Sequence, residues 1–107
     1  MGITPEGKVK ARIRRTLEIN NVYHFMPATG GYGRSGVPDF VGCYRGYFFA
    51  IECKAGNKKP TALQEKELQR IRDAGGYVFV INETNEKDVQ NWLNMMTVPE
   101  KRMTNDA

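Results

Sequence analysis

The segment GVPDFVGCYRGYFFAIECK, residues 36–54, constrains the fold more than any other part of the chain. Two apolar runs flank Arg45-Gly46, which suits a two-residue hairpin turn with Gly46 taking the positive φ. Antiparallel strands are therefore expected over 38–44 and 47–54. In that register Tyr44 faces Tyr47, Gly42 faces Phe49, and Asp39 faces Glu52. Directly opposed side chains share a face, with Cβ atoms about 4.5–5.5 Å apart. Lys54, two residues beyond Glu52, returns to that face. Two carboxylates about 5 Å apart repel by roughly 3 kcal/mol at an effective dielectric near 20. Lys54, a shared proton or a divalent cation could offset this, and carboxylate oxygens favour magnesium, manganese or calcium over zinc.

The flanking sequence supplies layers for the hairpin. PEGKVKARIRRTLEIN, from Pro5, reads as a helix with Thr4 as N-cap. At 100° per residue Val9, Ile13 and Leu17 form one stripe and Lys8, Arg12 and Arg15 the opposite one. Glu6 falls on the apolar stripe, where it either aims at the sheet as a third acidic ligand or complements the helix dipole. Residues 22–26 read as a short strand, and the glycine-rich 27–36 as a loop. TALQEKELQRIRDAGG reads as a helix capped by Thr61, completed as a capping box by Gln64 and stopped at Gly75-Gly76. Gln64 also lies amid Leu63, Leu68 and Ile71, and both roles can hold together. YVFVI (77–81) reads as a buried strand and NEKDVQNWLNMM as a closing helix. The helical crossover makes the last strand parallel to 47–54, giving an α/β fold of order α-β-β-β-α-β-α with a mixed sheet flanked by helices. Residues 1–98 are expected to form one domain and 99–107 a flexible tail.

The 107 residues carry a net charge of +4, which permits a polyanionic partner without requiring one. No apolar run approaches the ~20 residues needed to span a bilayer. Two cysteines, on opposite faces in the proposed register, suit a reducing intracellular setting rather than a disulfide framework. The lone His24, between Tyr23 and Phe25, reads as structural.

The acidic pair with its lysine points to phosphodiester hydrolysis. A cation held by Asp39 and Glu52 would polarise the scissile phosphate and acidify a bound water. Lys54 would orient or deprotonate the nucleophile and stabilise developing charge. The Cys53 carbonyl is a natural extra ligand. PD (38–39), ECK (52–54) and the helical TALQ (61–64) resemble the PD-(D/E)xK nuclease superfamily, with its restriction-endonuclease-like core. Within it the chain looks like the VRR-NUC group, the virus-type replication and repair nuclease domain. Glu6, GRSGVPDF and GGYVFVI extend the resemblance to about residue 82. It implies a magnesium- or manganese-dependent nuclease. Glu6, Asp39 and Glu52 would bind metal, Lys54 would be the catalytic lysine, and Gln64 would support the site. It also implies a homodimeric endonuclease for branched DNA such as four-way (Holliday) junctions, and suits a phage or mobile-element setting. Arg34, Lys58 and Lys59, flanking the site, are candidate phosphate contacts, and Arg12 is either a further one or part of a solvated face. Two rivals remain: a non-catalytic DNA-binding module that keeps the nuclease fold, and a metal-dependent hydrolase of small phosphorylated substrates.

Overall fold

Helix α1 (Pro5–Ile19) begins at its expected cap: the Thr4 hydroxyl accepts the Gly7 N–H at 3.0 Å, with Pro5 in the first turn. The structure, a computed structural model, describes residues 3–28 and 35–98. Arg34 and the expected 99–107 tail lie outside the described residues. Val9, Ile13 and Leu17, spaced one turn apart, are the buried residues of α1. The chain reverses at Asn21, whose φ of 56° is left-handed. Short polar side chains tolerate that conformation. The Val22 N–H returns to the Leu17 carbonyl at 2.9 Å.

Three strands follow in antiparallel order: β1 (Tyr23–Phe25), β2 (Phe40–Tyr44) and β3 (Tyr47–Cys53). Helix α2 (Ala62–Asp73) then crosses over to β4 (Tyr77–Ile81), which pairs parallel to β3, and α3 (Lys87–Met95) closes the described chain. The sheet is mixed, with spatial order β1-β2-β3-β4. Tyr44 opposes Tyr47 and Gly42 opposes Phe49, the register expected from the turn. Both turn residues, Arg45 at φ 52° and Gly46 at φ 92°, are left-handed. That is the primed turn whose twist matches the strands, and Arg45 takes part although it is not glycine. Its guanidinium donates to the Met96 carbonyl at 2.8 Å and lies 5.0 Å from the Tyr44 ring centroid, which offsets the cost of the unusual φ.

The ladder stops one pair earlier than the sequence suggests. Its last rung is Phe40 with Ile51, and Asp39 falls in a bend before β2. The next hydrogen-bonded rung would match Pro38 with Cys53, and proline has no N–H to give. Asp39 and Glu52 are thus not a cross-strand pair, a correction to the expected geometry. The Asp39 side chain takes over the rung: its Oδ2 accepts the Cys53 N–H at 2.8 Å.

Strand β3 is covered on both faces, being buried continuously from Phe49 to Cys53. Phe49, Ile51 and Cys53 join Val9, Ile13 and Leu17 of α1 and Val89, Trp92 and Leu93 of α3 in the main core. Alternation puts Ala50, Glu52 and Lys54 on the opposite face, where α2 lies. In α2 the capping box at Thr61 and Gln64 is complete, and Leu68 is the buried residue. Leu63, expected on the buried face, is 58% exposed. Gly36 fastens the approach to β2 against this helix. Its φ is +74°, and a Cβ there would stand 2.5 Å from the Leu63 carbonyl oxygen.

Candidate active site at the carboxyl end of β3

The carboxyl ends of parallel strands β3 and β4 lie side by side, with the Lys54 N–H donating to the Ile81 carbonyl at 2.8 Å. Four side chains from three segments meet at this end. Glu52, on the central strand, is 2% exposed. Its Oε2 receives the Lys54 ammonium at 3.2 Å and the Gln64 amide at 3.0 Å. Gln64 is fixed from behind, since its carbonyl oxygen accepts the Thr61 N–H at 2.8 Å. One glutamine therefore caps a helix and braces a buried carboxylate, which are the two roles its sequence position suggests.

Burial is the main force on Glu52. Together with the nearby Asp39 charge it raises the carboxyl from 4.5 to about 7, against the opposing hydrogen bond and charge of Lys54. A carboxylate so placed is poised to gain or lose a proton near neutrality. Burial also pushes the Cys53 thiol up, assisted by Asp39 and Glu52. The Cys53 sulfur faces the main core and stays protonated, so only its backbone borders the site.

Asp39 stands where the two layers meet. One oxygen is held by the Cys53 N–H, and the other lies 3.2 Å from the Lys10 ammonium. Lys10 also reaches Glu6 Oε2 at 3.6 Å. Glu6 is thus joined to the cluster through Lys10 and stands one-third exposed, whereas Glu52 is enclosed. Burial pushes the Lys10 pKa down, and the Asp39 and Glu6 carboxylates more than reverse this, leaving it raised. Lys10 was not among the residues singled out from the sequence. The available signal was its position one helical turn after Glu6, where an i, i+4 ion pair forms.

The candidate DNA contacts divide. Lys58 and Lys59 are exposed in the turn between β3 and α2. That turn is pinned beside the site: the Gly56 N–H donates to Glu83 at 2.9 Å, and the Asn82 amide donates to the Gly56 carbonyl at 3.1 Å. Arg12 is not brought to the cluster. Its guanidinium grips Glu86 through both oxygens, at 2.6–2.9 Å, and joins α1 to the start of α3.

The donor set suits a hard divalent cation. Glu6, Asp39 and Glu52 supply carboxylate oxygens and the Cys53 carbonyl lies between Glu52 and Lys54, a combination matched to magnesium or manganese. Among the described residues no three His, Cys, Asp or Glu side chains are gathered for an ion as they stand. Glu6 and Asp39 are turned to Lys10, and Glu52 to Lys54 and Gln64. A cavity of about 560 Å³ opens elsewhere, between Phe48 at the turn end of the hairpin and Ile71 and Gly76 at the far end of α2. It shares no residue with the acidic cluster. No helix among the described residues is long and apolar enough to cross a membrane. No protein-family model matches the chain, and no curated protein does.

Proposed function

We propose that this chain is a metal-dependent nuclease of the PD-(D/E)xK type, similar to the VRR-NUC group, that hydrolyses phosphodiester bonds in branched or otherwise structured DNA. The observation that carries the reading is the pairing of buried Glu52 with Lys54 beside Asp39, at the end of the central strand. Buried charge is costly to hold, and carboxyls displaced toward neutrality gather at functional sites. Asp39, Glu52, Glu6 and the Cys53 carbonyl would hold Mg2+ or Mn2+. The ion, when bound, would polarise the phosphate and lower the pKa of a water. Lys54, 11% exposed and fixed by Glu52, can orient that water and stand by the charge developing on the phosphate oxygens. Gln64 keeps Glu52 in place while its charge changes. Exposed Lys58 and Lys59 supply sequence-independent attraction for the backbone.

Action on four-way junctions and assembly as a homodimer are part of this proposal and come from the family resemblance; work inside the cell is part of it too and comes from the two unpaired cysteines. The test is cleavage of labelled linear, single-stranded, flap and four-way-junction DNA in magnesium, manganese or EDTA, beside Lys54→Ala. Metal-dependent cutting that vanishes in the variant supports the nuclease. Binding without cutting in either metal replaces it with the non-catalytic DNA-binding module.

A further inference from the structure

Lys10 bears on how the proposed site fills. Its ammonium lies 3.6 Å from Glu6 Oε2 and 3.2 Å from Asp39 Oδ1, and so bridges an acid on α1 to the acid before β2. A cation ligated by both carboxylates must lie between them, because magnesium needs its oxygens within about 2.0–2.1 Å. That is the space the ammonium takes. Charge points the same way. Glu6, Asp39 and Glu52 carry three negative charges when ionised, which Lys54 and one divalent ion balance. Retaining Lys10 as well would leave an excess positive charge in a partly enclosed site. Lys10 is one-third exposed on a flexible stem and can swing out to water, whereas Lys54 is confined.

We propose that Lys10 is a built-in competitor for the metal: its ammonium must leave Glu6 and Asp39 before a divalent cation can bind both, so Lys10 sets the cation concentration at which the site fills. This rests on the metal-nuclease reading and adds a control element to it. Lys10 is a positioning residue here.

The experiment is calorimetric titration of Mn2+ into the DNA-free protein, for wild type, Lys10→Met, Lys10→Arg and Asp39→Asn, with circular dichroism in EDTA to verify folding. Lys10→Met is expected to bind Mn2+ about two- to fivefold more tightly, the scale of losing a partly exposed ion-pair competitor. Lys10→Arg, which keeps the charge, should remain near wild type, and Asp39→Asn should lose binding. Damage to the fold would weaken affinity, so tightening separates competition from a structural role. Lys10→Gln repeats the measurement if the methionine variant does not fold. Unchanged or weaker binding in Lys10→Met (or Lys10→Gln), with binding still lost in Asp39→Asn, overturns the competitor and leaves the metal site standing. No Mn2+ binding by wild type overturns both.

Discussion

Replacing Glu52 with Gln removes an ionisable group from the interior while keeping its shape and an oxygen for Gln64 to donate to. Burial, and after it the Asp39 charge, raise the Glu52 carboxyl from 4.5 to about 7. Between these values the folded protein holds a proton that the unfolded chain has released. The stability associated with this group is therefore complete below the lower value and is lost as pH rises through the upper one. Integrated from pH 5 to pH 8, the loss is about 2–3 kcal/mol. That is a large share of the ~5–15 kcal/mol typical of a domain. With a urea dependence of about 1–2 kcal/mol per molar, the wild-type midpoint should fall by about 1–3 M over this range. The assay is urea unfolding followed by tryptophan fluorescence, in EDTA, at pH 5, 6, 7 and 8, for wild type and Glu52→Gln. The variant should lack this component of the pH dependence and be the more stable protein at pH 8. Parallel curves for the two proteins would refute the assignment of a buried, near-neutral carboxyl.

Added Mn2+ should stabilise wild type more at pH 8 than at pH 5, since binding needs ionised Glu52; equal shifts in melting temperature would contradict this. Lys54→Ala should reduce single-turnover DNA cleavage about 100-fold or more while leaving the far-ultraviolet spectrum native, and a variant that cuts normally would remove Lys54 from the mechanism. Gly36→Ala should lower stability by about 2 kcal/mol, because a Cβ meets the α2 backbone at a left-handed φ; a melting curve matching wild type would count against that packing. Arg12→Ala should leave the salt dependence of DNA affinity nearly unchanged, its guanidinium being committed to Glu86, while Lys58→Ala and Lys59→Ala should each reduce the slope by about one.

The hairpin was legible because turn chemistry and alternation agree on one register, and a one-residue slip would turn every buried side chain outward. Helix starts at Thr4 and Thr61 were legible for a similar reason: each cap is a local hydrogen bond written within four residues. Asp39 shows the limit. Alternation extended the ladder through it, but Pro38 cannot supply the next rung, and the aspartate side chain substitutes for the missing backbone partner. The presence of proline was visible in the sequence, though not which group would take the freed Cys53 N–H. Lys10 was missed because its main partner, Asp39, stands on another element, and periodicity ranks residues by apolar face without saying which charges meet across layers. The bidentate grip of Arg12 on Glu86, 74 positions apart, was hidden in the same way.

The chain has one tryptophan, and its placement makes the protein its own optical instrument. Trp92 is ringed by Tyr44, Phe49, Tyr77 and Phe79, at centroid separations of 5.2–6.4 Å, and its buried indole nitrogen finds no hydrogen-bond partner among the described residues. Buried among apolar rings, the indole should emit toward the blue when folded and move red as this aromatic nest opens. Tyr44 and Tyr77 are close enough to hand it excitation energy, which gives a second signal for the same event. Tyr44 and Tyr77 belong to the turn end of the sheet, away from Glu52 and Lys54. Its colour therefore follows packing rather than the ionisation or loading of the acidic cluster. One cuvette can track the integrity of the scaffold while a labelled DNA reports the chemistry.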